Sequence, residues 1–158
     1  MGAGKSTIGR LLATEMKLDF RDTDREIEER SGVDIPWIFD KEGEAGFRQR
    51  ETAILDDLSQ LDDLLLATGG GIVLKPENRK ILASRGRVVY LKTTVDEQVR
   101  RTGRDTKRPL LNNDNPRAVL EALMQQRDPL YREIADYIID TDGRSPREVA
   151  LDLSRQLS

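Results

Sequence analysis

Apolar residues recur along this chain in two patterns, one typical of helices and the other of short buried strands. Helical spacing begins near the N-terminus, at Ile8, Leu11, Leu12 and Met16. Short apolar or alternating runs lie in KLDFRDTD, LDDLLLATGGG, GRVVYLKTT and DYIID, and each predicts a strand. Strands that alternate with helices indicate an α/β fold, in which helices flank a parallel sheet on both faces.

Turn-forming residues divide the rest of the chain. Residues 25–60 have a helical period with three interruptions, which predicts two or three helices. The interruptions lie at Ser31-Gly32, Pro36 and Gly43. We expect PRAVLEALMQQRDPLYREIADY to be helical apart from Pro129, and SPREVALDLSRQL to be a closing helix capped by Ser145. Residues 102–117 are rich in Gly, Asn, Asp, Pro and Arg, and this composition predicts a mobile excursion.

Length and composition restrict the chemistry that the chain can perform. At 158 residues it is expected to form one domain over residues 1–158. It has no His and no Cys, so catalysis would depend on carboxylates, lysine, arginine and backbone amides. A net charge of -3 argues against a nucleic-acid partner. Because no apolar run reaches the ~20 residues of a membrane span and no signal peptide is evident, we expect a cytoplasmic protein without a membrane partner.

The opening MGAGKST matches the second half of a phosphate-binding loop, G-x-x-x-x-G-K-S/T. Gly2, Ala3 and Gly4 would offer backbone N–H groups to phosphate oxygens at a helix N-terminus. Lys5 would bridge the β- and γ-phosphates of a nucleotide, and the Ser6 hydroxyl would bind Mg²⁺. The same residues could form a simple helix-entry turn, but the amphipathic helix and the DTD segment that follow favour nucleotide binding.

The front half of this loop lies outside the sequence. The first glycine of the pattern would stand two residues before Met1, and such a loop normally follows a buried β-strand. We therefore expect that the natural protein carries about ten further residues, an apolar strand and Gly-x ahead of Met1, and that this chain is a fragment. Loss of a central strand from a parallel sheet would leave two neighbouring strands without hydrogen-bond partners.

Two further clusters contain candidate ligand-binding residues. Asp22 and Asp24 stand at a predicted strand end, so their side chains would point the same way, one to a metal-bound water and the other to a substrate hydroxyl. Asp24 could alternatively cap the next helix. Gly69, Gly70 and Gly71 follow a buried strand, where the backbone can approach a ligand closely, although a flexible turn would have the same sequence.

Together these segments resemble the shikimate kinase family over essentially the whole chain. The resemblance rests on GAGKSTIGRLLA, DTDREIEERSG, IFDKEGEAGFRQRE, ATGGGIV, VVYLKTT, TKRPLL and RDPLYREIAD, in the family's order and close to its spacing. The loop alone identifies only a P-loop protein, whereas its combination with DTD, GE..FR..E, TGGG and RPLL is specific. Three arginines in these segments would be interpreted as solvated surface charges if taken singly: Arg48, Arg108 and Arg127.

The resemblance implies a three-layer P-loop kinase fold, with a mobile lid at about residues 102–117 and a substrate-binding region at about residues 24–51. It implies transfer of the γ-phosphate of ATP to the 3-hydroxyl of shikimate, with Mg²⁺ as cofactor, on the route to chorismate and the aromatic amino acids. Shikimate and ATP are the partners expected, and we expect a monomer.

The resemblance also implies roles for individual residues. Those implied for ATP are Gly2, Ala3, Gly4, Lys5, Ser6, Thr7, Arg101, Arg108 and Arg144, with the arginines at 101 and 144 beside the adenine. Those implied for shikimate are Asp24, Arg48, Gly69, Gly70, Gly71 and Arg127, with the two arginines on the carboxylate. Those implied for the metal are Ser6 and, through water, Asp22. Those implied for catalysis are Lys5, Asp24 as base, and Arg108, which would close on the phosphates.

Two alternative functions stay open at this point. Another small-molecule kinase of the same fold could act on gluconate or a nucleotide; a nucleoside kinase would not need two arginines aimed at a carboxylate, whereas gluconate could use them. A nucleotide-binding regulatory module is the other alternative, and it would have no reason to keep DTD, TGGG and the paired arginines together.

Overall fold

The computed structural model describes residues 4–102 and 115–158, in which helices alternate with short strands. In chain order the elements are α1 (Lys5–Met16), β1 (Asp19–Asp22), α2 (Thr23–Ser31), α3 (Ile35–Leu58), β2 (Leu64–Ala67), a 3₁₀ helix (Gly70–Leu74), α4 (Pro76–Arg85), β3 (Val89–Lys92), α5 (Val95–Thr102), α6 (Pro116–Ile134), β4 (Tyr137–Asp140) and α7 (Pro146–Leu157). This alternation confirms the predicted α/β fold. Most of the predicted lid lies outside the described residues, and its last two positions begin α6.

The turn signals in the sequence mark most of the helix boundaries. Gly32 ends α2 and Gly43 kinks α3, both with a positive φ that favours glycine, and Ser145 caps α7 by accepting a backbone N–H. The expected interruption at Pro129 was wrong, because α6 continues through it. A proline inside a helix costs about 3 kcal/mol, and packing of the apolar face of α6, including the fully buried Leu120, offsets that cost.

The DTD segment differs from the expectation in its local geometry. β1 ends at Asp22, and Asp24 lies in the first turn of α2. Oδ1 of Asp22 accepts the backbone N–H of Asp24 at 2.9 Å, so Asp22 and not Asp24 is the helix cap. The two side chains therefore do not share one face as they would in a continuous strand, because the chain turns from extended backbone at Asp22 into the first turn of α2.

Helices cover both faces of the strands, which gives the three layers expected. Alternate residues of β2 face opposite ways: Leu65 packs against a cluster formed by α1 and α7, whereas Leu64 and Leu66 pack against a cluster formed by α2 and α3. Isoleucines at positions 8 and 38 are buried within the two clusters. In the part of the chain that the structure covers, no helix has both the length and the apolar content needed to cross a bilayer.

The strands form two parallel pairs, β1 with β2 and β3 with β4. Among the described residues these pairs are not hydrogen-bonded to each other. A cavity of about 560 Å³ lies between them, lined by all four residues of β2, by three residues of β3 and by apolar residues of α1.

Candidate active site

The phosphate loop leads directly into the first turn of α1. Gly4 precedes the helix with a φ of 75°, a left-handed conformation that favours glycine, and no side chain caps this end. The first N–H groups of α1 are therefore available to an anion, and the helix dipole favours one there. Lys5, Ser6 and Thr7 form this first turn, whereas Gly2 and Ala3 lie outside the described residues.

Lys5, Ser6 and Asp22 meet at the start of α1. The Ser6 hydroxyl donates to Oδ2 of Asp22 at 2.9 Å, and Nζ of Lys5 lies 3.4 Å from the same oxygen. A hydroxyl and a carboxylate are oxygen ligands of the kind that Mg²⁺ prefers, together with water and phosphate oxygens. The described residues contain no group of three or more His, Cys, Asp or Glu that could hold a metal without such additional ligands.

The DTD segment connects the phosphate loop to the glycine segment, residues 69–71. Thr23 is fully buried, and its hydroxyl oxygen accepts the backbone N–H of Gly69 at 3.3 Å. A Cβ built on Gly69 would lie 3.1 Å from Oδ1 of Asp24 and 3.4 Å from Oε2 of Glu51. Asp22 thus faces the phosphate loop while Asp24 faces the glycine segment, and the absence of a side chain at position 69 permits this close approach.

Arg48 rests on the glycine segment with its guanidinium group held by two carboxylates. Its Nη1 donates to Glu51 at 3.0 Å and its Nη2 donates to Glu44 at 3.1 Å, and the residue is 8% exposed. A Cβ built on Gly71 would overlap Nη2 of Arg48 and lie 2.6 Å from its Cζ. A side chain at position 71 would therefore force the guanidinium group of Arg48 to move.

Glu51 is a fully buried carboxyl inside this cluster. Burial raises its pKa to about 6; the ion pair with Arg48 opposes that rise, and the negative charge of Asp24 adds to it. Its Oε2 has no hydrogen-bond partner among the residues that the structure describes. The pKa of about 6 means that the carboxyl titrates in mildly acidic solution, and it forms an ion pair with Arg48 only in its ionised form.

Arg127 brings a second buried guanidinium group to the same cluster. It is 3% exposed, and its Nε has no hydrogen-bond partner within the described ranges. Burial lowers the pKa of Arg127, and the nearby positive charge of Arg48 lowers it further. Two buried guanidinium groups within electrostatic reach of each other favour an anion, and their planar forks match a carboxylate.

The remaining predicted site residues stand outside this cluster or outside the described residues. Arg144 lies in the turn between β4 and α7 and pairs with Asp152 at 3.2 Å. The predicted position of Arg144 beside adenine stays a prediction. Arg101 belongs to α5, although its side chain is outside what the structure describes, and Arg108 lies entirely outside the described residues.

Three site residues were given no role from the sequence: Glu44, Glu51 and Tyr131. Both glutamates lie in the motif that carries Arg48, at helical spacings of four and three residues from it, so an ion pair could have been anticipated. Tyr131 follows Arg127 by one helical turn, and its hydroxyl donates to the carbonyl of Gly70 at 2.6 Å. That contact joins residues 61 positions apart, and no local pattern indicated it.

Comparison with known proteins agrees with this geometry. The family model described as shikimate kinase matches residues 1–158. A shikimate kinase of Pseudomonas entomophila (strain L48) is 60% identical over 157 residues, which cover 99% of this chain and 91% of that protein. A shikimate kinase of Pseudomonas savastanoi pv. phaseolicola is 58% identical over 158 residues, covering 100% of this chain and 92% of that protein.

Solved structures give the same result. A shikimate kinase from Acinetobacter baumannii in complex with shikimate superimposes with a TM-score of 0.97 at 50% identity, covering 99% of this chain and 88% of that one. A shikimate kinase from Bacteroides thetaiotaomicron has a TM-score of 0.88 at 28% identity, and the match covers 99% of this chain and 93% of that one. The family model matches this chain from its first residue to its last, and the phosphate loop, the DTD segment and the paired arginines lie around one site. This chain belongs to the shikimate kinase family.

Proposed function

We propose that this protein transfers the γ-phosphoryl group of ATP to the 3-hydroxyl of shikimate, giving shikimate 3-phosphate and ADP for the synthesis of chorismate and the aromatic amino acids. The observation that carries the proposal is the position of the DTD segment between two different binding surfaces. Asp22 contacts the phosphate loop at Ser6, whereas Asp24 lies against the glycine segment beside Glu51. A nucleotide and an acceptor bound to these surfaces would meet over α2's first turn.

The acceptor half of the site has the chemistry of a hydroxylated carboxylic acid. Arg48 and Arg127 would bind the carboxylate of shikimate, since each is buried and a guanidinium fork donates two parallel hydrogen bonds to such a group. Asp24 and the backbone of the glycine segment would bind the ring hydroxyls. Asp24 lies beside Gly69 and the buried Glu51, where its carboxylate would face the reacting hydroxyl.

Phosphoryl transfer depends mainly on alignment and on neutralising charge. The N–H groups at the start of α1 and the ammonium group of Lys5 would bind the phosphate oxygens of ATP. Asp24 would accept the proton of the 3-hydroxyl as the oxygen attacks the γ-phosphorus, so that ADP leaves on the opposite side. We infer that Arg108 closes on the phosphates, and that Gly2, Ala3, Thr7, Arg101 and Arg144 complete the nucleotide site.

The residues at the start of α1 fit a magnesium ion. Ser6 would bind it directly and Asp22 through a water molecule, because hydroxyl and carboxylate oxygens are suitable ligands and the ion keeps several waters and phosphate oxygens. Bound there, Mg²⁺ neutralises phosphate charge. Lys5 and Asp22 are already within 3.4 Å, so the ammonium group would keep a second positive charge beside the same phosphates.

The choice among acceptors can be tested directly. Purified protein is incubated with ATP, Mg²⁺ and one of shikimate, gluconate or AMP, while ADP release is followed in a coupled assay. ADP release is expected with shikimate alone, and phosphorus NMR of the product would identify the phosphorylated hydroxyl. Faster turnover with gluconate or AMP would contradict the proposal, and ADP release that does not depend on any acceptor would indicate a nucleotide-hydrolysing module.

We further propose that the enzyme acts in the cytoplasm as a monomer, without nucleic-acid or membrane partners. The net charge of -3 supports the absence of a nucleic-acid partner, since such proteins normally carry a basic surface. Light scattering coupled to size-exclusion chromatography would test the oligomeric state, with a mass near 17.9 kDa expected for a monomer.

A further inference from the structure

Tyr131 contacts the glycine segment, although it is not one of the residues proposed to bind shikimate. Its hydroxyl donates a hydrogen bond of 2.6 Å to the carbonyl oxygen of Gly70. A carbonyl oxygen only accepts, so the phenol must be protonated for this bond to exist. Burial raises the pKa of Tyr131 above its usual value, so the hydroxyl remains protonated throughout the physiological range.

The hydrogen bond to Gly70 also determines the orientation of Gly71. The carbonyl of Gly70 and the N–H of Gly71 belong to one planar trans peptide, in which the two groups point in opposite directions. A bond that holds the carbonyl therefore holds the N–H as well. Because glycine has the most conformational freedom of any residue, this segment depends on outside contacts to keep one orientation.

Tyr131 is itself held firmly, and it lies next to both arginines of the acceptor site. Its ring packs against the ring of Tyr90, with centroids 4.6 Å apart. It interacts electrostatically with Arg127, one turn earlier on α6, and the peptide that it holds contains Gly71, on which the guanidinium group of Arg48 rests. One side chain thus supports three components of the acceptor site.

We propose that Tyr131 is a positioning residue for shikimate, whose hydroxyl orients the Gly70–Gly71 peptide and through it the surface on which Arg48 lies. The inference rests on the proposed function, because it assigns the glycine segment and the arginine pair to the acceptor. The contacts of Tyr131 are with Gly70, Tyr90 and Arg127. Lys5 and Ser6 instead contact Asp22. The effect of Tyr131 is therefore confined to binding of the acceptor.

The substitution Tyr131→Phe tests this, since it removes the hydroxyl and keeps the ring. Leaving a buried carbonyl without its donor typically costs ~1 to 3 kcal/mol, so we expect the KM for shikimate to rise about tenfold. The KM for ATP should stay within about twofold of the wild-type value, as expected for a loss confined to the acceptor half. Tyr90→Phe is the matched control. The ring of Tyr90 stacks on Tyr131, and the substitution removes only its hydroxyl, which donates to Asp128 at 2.8 Å.

The outcomes separate this inference from the proposed function. If wild-type protein phosphorylates shikimate and Tyr131→Phe leaves the KM for shikimate within twofold, the positioning role is wrong while the function stands. An equal rise in the KM for shikimate and ATP, or a failure of Tyr131→Phe to fold, would assign the hydroxyl to general stability and also overturn the inference. If wild-type protein does not phosphorylate shikimate, the proposed function itself is wrong.

Discussion

Glu51 accepts a hydrogen bond of 3.0 Å from Nη1 of Arg48, and the glutamate that does so is fully buried. The pKa of this carboxyl is raised to about 6 by burial, above its usual value of 4.5. A group with a raised folded-state pKa contributes stability that is present below the unfolded-state pKa and is lost as the pH rises through the folded-state value. Its titration therefore makes folding stability depend on pH in a predictable direction.

We expect the free energy of unfolding to fall by about 1 kcal/mol between pH 5 and pH 7.5, because the pKa of Glu51 is about 6 in the folded protein and 4.5 ordinarily. Glu51→Gln should remove this part of the pH dependence. Urea unfolding at the two pH values measures it, with Glu77→Gln, an exposed glutamate on α4, as the control. The assignment is wrong if Glu51→Gln and Glu77→Gln show the same difference between the two pH values.

Replacing Arg48 or Arg127 by lysine keeps the charge and removes the planar fork. Loss of one partner from a buried charged contact typically costs ~2 to 5 kcal/mol, so the KM for shikimate should rise at least ~30-fold while ATP binding is nearly unchanged. Arg50→Lys is a control on the same helix, since Arg50 pairs with Glu42 at the surface. An unchanged KM for shikimate in both Arg48→Lys and Arg127→Lys would remove the pair from the acceptor site.

Gly71→Ala is expected to displace the guanidinium group of Arg48, because the added methyl group would overlap it. The KM for shikimate should then rise by a factor similar to that of Arg48→Lys, about 30-fold or more. Gly86→Ala provides the comparison, since a Cβ there meets no atom within 4 Å and the backbone of Gly86 is extended. Equal kinetics in the two alanine variants would mean that Arg48 moves without loss of binding.

Asp24→Asn tests the base in the reaction. The amide keeps the shape of the side chain and cannot accept a proton, so kcat should fall roughly 10² to 10⁴-fold, the range typical of general-base catalysis. Steady-state kinetics with saturating shikimate measures this, and Asp40→Asn, at an exposed position on α3, serves as the control. A loss much smaller than 10²-fold would leave Asp24 with a role in binding only, and wild-type rate and binding would exclude it from the site.

The cavity between β2 and β3 predicts that an added strand stabilises the fold. An extension ahead of Met1 of about five apolar, β-branched residues followed by Gly-x should raise the Tm by about 5 °C or more, because it would bury apolar side chains and pair two strand edges. It should also increase the stabilisation by ATP and Mg²⁺. Thermal unfolding of this form is compared with that of a Gly/Ser extension of equal length, and identical melting with equal nucleotide stabilisation would contradict the prediction.

The sequence by itself determined the order of the elements, and it indicated which residues would bind a nucleotide. Apolar spacing in α1 and the short runs of β2 and β3 depend on local geometry, since side chains repeat every 3.6 residues in a helix and every 2 in a strand. Cap residues such as Gly32 and Ser145 mark the ends of helices through hydrogen bonds to residues a few positions away. Among the residues proposed to bind the acceptor, Asp24 was indicated by its place at a predicted strand end, whereas Arg48 and Arg127 were obtained only from motifs that resemble a family.

Only the tertiary structure decided how these residues meet and what their environment does to them. Burial of Glu51 raises its pKa. Glu51 is buried because α3 packs against the glycine segment, and the residue spacing within FRQRE does not predict that packing. Tyr131 reaches Gly70 across 61 positions because α6 packs on the 3₁₀ helix. Contacts of this kind depend on the relative placement of whole elements, and that placement is set by the burial of apolar faces from distant parts of the chain.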